Sequence, residues 1–187
     1  MARKRGRGVA ACWYGIARTA TVDRAGAWAE IDDGGTAKIV TGVTEIGEGI
    51  LTVLPQDVTI GDNDTARSPE AAHAGATRQT YMIGNAVALA SRQARAALVE
   101  VLAGHWGVDG RSIRTAAGEA WAEGTNHKMP MGDAVHLAKS RGVVPVGSAS
   151  FGTDTTGLDP VDGSGRPWQA YVFGCQVAEV EVDTLTG

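Results

Sequence analysis

The 187 residues suit one domain, and a chain of this length buries roughly 70% of the surface its unfolded form exposes, enough for a real core. Its 17 Lys and Arg against 21 Asp and Glu leave a formal net charge of -4, so no global field draws it to nucleic acid or to an anionic membrane. Arg3, Lys4, Arg5 and Arg7 crowd the N-terminus like the start of a signal peptide, but the apolar stretch at residues 9–14 is too short and is broken by Gly15; no leader and no membrane span is expected, and the reading is a cytoplasmic protein.

In chain order, "GVAACWYGIA" and "AWAEIDDGGTAKIVTGV" read as strands, the latter folded into a hairpin at Asp33-Gly34-Gly35, so residues 8–43 are expected to form antiparallel sheet. "GILTVLPQ" is a brief apolar run cut off at Pro55, and "DVTIG" a short strand candidate. "DNDTARSPEAAHAGATRQT" has small, turn-forming residues without periodicity, a long loop of the kind that often carries function. Ile83, Val87, Ala90, Ala94, Ala97 and Val101 then repeat at helical spacing, with Thr77 as the expected N-cap and Gly104 as the expected stop. A strand around Ala120 and a helix from Met131 to Ser140, ended by Gly142, follow. "FGTDTTGLDPVDGSGRPW" reads as a surface loop, and "AYVFGCQVAEVEVD" as a half-buried strand with Ala178, Val180 and Val182 on one face and Glu179, Glu181 and Asp183 on the other. Cys12 and Cys175 fall inside strands and read as small buried hydrophobes; with no CxxC pair and no metal-spaced histidines, this chain alone is not expected to build an iron-sulfur or zinc site.

Two small-residue turns could leave backbone N–H groups free for a ligand, "EIGEGI" and "AHAGATRQT". In the second, Ala74, Gly75 and Ala76 let a ligand approach the backbone. Thr77, Gln79 and Thr80 offer directed hydrogen bonds, and the helix that follows offers a positive dipole end, with Arg78 adding charge. That combination suits a phosphate; the alternative is an ordinary capped helix after a loose loop. Neither turn matches GxxxxGK[ST] or GxGxxG, which removes nucleotide-hydrolase and dinucleotide-fold readings. Asp64, Ser68 and His73 share one loop, but without a GxSxG elbow a hydrolase is a weak third reading.

Taken together, "RGRGVAACWYGI", "TGVTEIGEGILTVLPQ", "GDNDTARSPEAAHAGATRQTYMIGNAVALA" and "YVFGCQVAEVEVDTLTG" resemble the second half of the molybdopterin-binding subunit of the xanthine dehydrogenase and aldehyde oxidoreductase family. The opening "MARKRGRGVA" resembles the start of the second chain of a split subunit, as in nicotinate dehydrogenase. The resemblance implies an α+β fold, antiparallel or mixed sheet packed against helices, holding a molybdenum-molybdopterin cofactor, with the cytosine dinucleotide form among the options. It implies an oxidoreductase that inserts a water-derived oxygen at an electrophilic carbon of an aldehyde or N-heterocycle. Its partners would be the other molybdopterin subunit, an iron-sulfur subunit and an FAD subunit. By position in the family's motifs, Gly47, Glu48 and Gly49 would contact the pterin. Gly75 and Ala76 would lie beside molybdenum without ligating it, and Thr77, Arg78, Gln79 and Thr80 would bind the pterin and its phosphate.

The departures from the family pattern are equally specific. The usual Gln of the first turn is Glu48, which when ionised accepts hydrogen bonds but donates none. An internal helix expected after Gln56 is missing, and residues 1–187 stop before the segment that carries the family's catalytic glutamate, so no catalytic residue is expected in this chain. The rival reading is a truncated, noncatalytic remnant that survives as a structural or interaction module.

Overall fold

Small side chains decide how closely the main layers approach. A computed structural model describes residues 3–17, 23–47, 49, 58–61 and 64–187. The central strand β2 (Arg24–Ile31) buries every second residue, and Ala25, Ala27 and Ala29 make one smooth face. It pairs antiparallel with β3 (Ala37–Val40) across a turn in which Asp32 accepts from the N–H groups of Thr36 (2.8 Å) and Gly35 (2.9 Å). On its other edge it pairs antiparallel with β8 (Val146–Gly152), while β4 (Val58–Ile60) adds to β3 in parallel, giving a mixed four-stranded sheet ordered β4-β3-β2-β8.

Helix α1 (Gly84–Trp106) lies on this sheet through Ala86, Val87, Ala90 and Ala94. The approach is so close that a Cβ added at Gly147 of β8 would sit 2.0 Å from the Ala90 carbonyl oxygen. Farther along α1 the buried residues enlarge to Leu98, Val101 and Leu102. These pack on a second core from β5 (Ile113–Ala116), β6 (Glu119–Ala122) and helix α2 (Met131–Ser140), with β7 (Lys128–Pro130) closing a three-stranded antiparallel sheet. Leu98 and Leu102 are fully buried, each contributing about 1.5–3 kcal/mol.

The fold is α+β, as expected, and the β2–β3 hairpin, the strand at Ala120 and α2 fall where the sequence places them. Several expectations need correction, among them the loop read from Phe151, since Phe151 and Gly152 end strand β8. Strand β1 (Arg3–Gly15) does not join β2 and β3; it pairs antiparallel with β9 (Tyr171–Asp183) in a separate two-stranded ribbon. Strand β9 is exposed along nearly its whole length rather than half-buried, because among the described residues only Trp168, at the Gly15 and Tyr171 end, packs on the ribbon. Cys12 and Cys175 are exposed too, and since they belong to adjacent register pairs they point to opposite faces. Helix α1 runs past Gly104 to Trp106, where Gly107 at φ +68 terminates it and donates to the Ala103 carbonyl (2.9 Å). The missing helix after Gln56 lies outside the described residues.

Candidate functional site

The first turn, residues 41–49, leaves the end of β3. Thr41 is buried and donates its hydroxyl to the Gly26 carbonyl (3.1 Å), and the Gly42 N–H donates to the Pro69 carbonyl (3.1 Å). Farther on, the Glu45 carboxylate reaches forward and accepts from the N–H groups of Gly47 (2.7 Å) and Gly49 (3.0 Å). Gly47 (φ +99) and Gly49 (φ +75) adopt backbone that other residues rarely do, which is why glycines bracket this position. The two expected donors are therefore already turned toward an anion, the chain's own carboxylate. Glu48 lies outside the described residues.

The second turn, residues 71–80, departs most from ordinary backbone. Ala72, Ala76 and Thr77 all have φ between +51 and +56. Each such non-glycine residue costs about 1–3 kcal/mol, so the surroundings must impose the conformation. Several restraints do. The Ala76 carbonyl accepts from the Ala17 N–H (3.1 Å), the Gly75 carbonyl from the Arg78 N–H (3.0 Å), and the Glu70 carbonyl from the Gly26 N–H (2.8 Å). Thr77 does not act as an N-cap. The helical run opens without a side-chain cap as a wide turn at Gln79–Ile83, a π-helical form frequent at functional sites, with no acidic residue in its first turn.

The six site residues inferred from sequence on the second turn separate into two kinds. Gly75, Thr77 and Thr80 are exposed and Ala76 half-buried, and a Cβ added at Gly75 would meet only the His73 ring, at 3.5 Å, so the loop surface is open to a ligand. Arg78 and Gln79 are buried. The Arg78 Nε donates to both Asp23 oxygens (2.7 and 2.9 Å), and Nη2 lies 2.6 Å from Asp23 Oδ1 while donating to the Arg24 carbonyl (2.7 Å). Nη1 donates to the carbonyls of Ala71 and of His73 (3.3 Å for the latter). Every nitrogen of the guanidinium is engaged, and its charge is matched by a carboxylate as buried as itself. The Gln79 amide clasps the first turn: Nε2 donates to the Thr44 carbonyl (2.8 Å) and Oε1 accepts from the Thr44 N–H (3.1 Å).

Sequence reasoning missed Asp23, Thr44 and Glu45. A lone Asp or Glu in a loop carries no periodic signal: Asp23 gains its role from burial against Arg78, 55 positions away, and Glu45 from exposed bonds within its own turn. Asp64 and Ser68, the weak hydrolase candidates, close a turn on each other, the Asp64 N–H donating to the Ser68 hydroxyl (3.1 Å) and the Ser68 N–H to the Asp64 carbonyl (2.7 Å). His73 joins neither through a hydrogen bond among the described residues. Where the two turns approach, a cavity of about 440 Å³ is lined by Gly42, Thr44, Ser68, Pro69, Ala71 and Ala72, with Asp64 and Glu70 also in its lining, the Asp64 carboxylate accepting from the Ala66 N–H (2.9 Å). Among the described residues no group of three His, Cys, Asp or Glu is placed to hold a metal ion, and no helix is long and apolar enough to cross a membrane.

Comparison with known proteins bears on this geometry. Residues 1–187 match the family model for the molybdopterin cofactor-binding domain. The chain is 26% identical over 197 residues to a xanthine dehydrogenase of Oryza sativa subsp. japonica, covering 99% of this chain and 13% of that one. It is 25% identical over 204 residues to an aldehyde oxidoreductase of Megalodesulfovibrio gigas, covering 98% and 19%. Solved structures share the fold. The aldehyde oxidoreductase from Desulfovibrio gigas superimposes with a TM-score of 0.71 at 22% identity (99% of this chain, 19% of that one). The CO dehydrogenase from Oligotropha carboxidovorans superimposes with a TM-score of 0.70 at 17% identity (97% and 24%). The chain thus spans less than a fifth of the length of these curated relatives.

Proposed function

The chain belongs to the molybdopterin cofactor-binding domain family, and from that premise we propose that it is the cofactor-binding part of a molybdenum hydroxylase whose remaining parts lie on other polypeptide segments. The observation that carries the reading is the second turn: an exposed run of left-handed backbone at Ala72, Ala76 and Thr77, imposed by a buried frame and opening directly into a helix. Strain of this kind persists where a ligand needs a preformed backbone surface.

The residues present fit a pterin carrying a phosphate. Gly75 and Ala76 admit a close approach, the Thr77 and Thr80 hydroxyls donate to phosphate oxygens, and the following helix start favours negative charge. The cavity between the turns, with carboxylates at Asp64 and Glu70, suits the donor-rich N–H edge of a pterin and not its phosphate. Gly47, Glu48 and Gly49 would add contacts from the first turn, where Glu45 holds the N–H groups of Gly47 and Gly49. When bound, the molybdenum of the cofactor supplies oxygen-insertion chemistry on a small molecule such as an aldehyde or N-heterocycle. Iron-sulfur and flavin groups on partner chains would carry the electrons away. In this reading the residues of this chain would bind and orient the cofactor.

The test is metal and pterin analysis of the chain co-expressed with the remaining segments of its enzyme. Molybdenum and a molybdopterin should co-purify, and Gly75→Val should lose both while the chain stays folded by circular dichroism. A fully assembled complex without pterin would sink the reading in favour of a structural module.

A further inference from the structure

We infer that Arg78 and Gln79 are positioning residues, which set the gap between the two turns from behind and do not touch the ligand; the inference rests on the cofactor reading for its purpose and on geometry for its substance. Both were natural candidates for direct contact, yet both are buried, at 0% and 7% exposure, and their polar atoms face the protein. The two side chains leave adjacent residues in different directions. Arg78 reaches back to Asp23 and to the carbonyls of Ala71 and His73, holding the left-handed loop down. Gln79 reaches across to Thr44 and reproduces with its amide the two bonds that a neighbouring strand would make.

Consequently the first turn is tied to the first turn of the helix, and the helix start to the second turn. A shift of the second turn must break a buried ion pair, and a shift of the first must break the part-buried amide clasp at Thr44. The Arg78 fork is rigid and planar, so lysine at that position would neutralise Asp23 but could not hold three carbonyls and a carboxylate together.

Hydrogen exchange of the full chain tests this without needing cofactor. In Gln79→Glu the introduced carboxylate still accepts from the Thr44 N–H but cannot donate to its carbonyl, and protonation restores the donor. At pH 8 the amides of residues 44–49 and 71–77 should exchange about tenfold faster than in the parent chain at the same pH, the loss of one buried hydrogen bond. The amides of α1 should be unchanged, and the excess should fall as the pH is lowered through the range in which a buried carboxyl protonates. The double variant Asp23→Leu/Arg78→Met removes the fork without leaving a buried charge unpaired, and should open residues 71–77 with α1 still protected. Unchanged exchange in both turns, or opening that spreads through α1 in both variants, would overturn the proposal. Failure of the parent assembly to hold a pterin would remove the cofactor reading alone, since the exchange result decides the clasp by itself.

Discussion

The molecule uses the same chemical pair, arginine and carboxylate, in two places with opposite physics. In the body of the fold Arg78 and Asp23 have side chains 0% and 2% exposed. On the β1–β9 ribbon Arg3 and Arg5 share Glu181 at 2.8 and 2.6 Å, and Arg7 pairs with Glu179, with the arginine side chains 67–85% exposed. In water such pairs are screened and lose side-chain entropy on forming, so they are worth little; away from water each member depends on the other. The ribbon therefore uses charge to stay soluble at its far end, and the body uses it to impose a conformation on a loop.

The contrast extends to packing. Near the body the ribbon carries Val9, Trp13, Phe173 and Val177 on the face that bears the ion pairs, all more than 60% exposed, with Trp13 stacked on Tyr171 at 5.2 Å. A two-stranded ribbon of this kind has little stability of its own. Its attachment is Gly15, against whose backbone the Trp168 indole lies so closely that a Cβ would fall 2.2 Å from the ring.

Four experiments break or sharpen the comparison. The largest effect is expected from Arg78→Met, which strands a buried carboxylate. Urea unfolding should report a loss of about 3–5 kcal/mol, and a loss under 1 kcal/mol would mean that water reaches Asp23. Next come two glycines of similar appearance in sequence. Gly147→Ala forces α1 off the sheet and should cost about 1–3 kcal/mol, whereas Gly8→Ala, with open space around the added Cβ, should leave the unfolding midpoint unchanged. Smaller still, Glu181→Gln should shift stability by no more than about 1 kcal/mol, and the shift should vanish in molar salt.

The smallest effect concerns an exposed pair outside the ribbon, Asp109 and Arg111. Asp109 accepts from the Arg111 side chain and then from its backbone N–H, which together hold its carboxyl down to about 2 from a usual 3.8. A folded-state value below the unfolded one means that this contribution is present above pH 3.8 and is lost as the pH falls toward 2. The stability difference between the parent chain and Asp109→Asn should be constant at neutral pH and shrink across that window. A difference that grows on acidification would contradict the sign.

Local signals account for what was legible. Helix α1 and helix α2 follow from apolar residues recurring at helical spacing, and the β2–β3 turn from Asp33-Gly34-Gly35, because each depends on residues a few positions apart. The openness of Gly75 also followed from composition alone. The same kind of reading misjudged β9, whose alternation of valine with glutamate is real but does not say what covers the valine face. Arg78 shows a related gap: a basic residue at a helix start looks like an anion ligand, and only the structure shows a buried carboxylate partner 55 positions earlier.

By itself, then, the sequence determined the two helices, the β2–β3 hairpin, the two glycine- and alanine-rich turns and the family pattern they make, since these are written in short-range order, while β7 and β8 went unread. Only the tertiary structure decided that β1 pairs with β9 apart from the main sheet, that Glu45 occupies the N–H groups of Gly47 and Gly49, and that Arg78 and Gln79 face inward. The strand pairing and the inward turn of Arg78 and Gln79 depend on segments far away in the chain, which no local pattern specifies, and the Glu45 bonds depend on the left-handed backbone at Gly47 and Gly49.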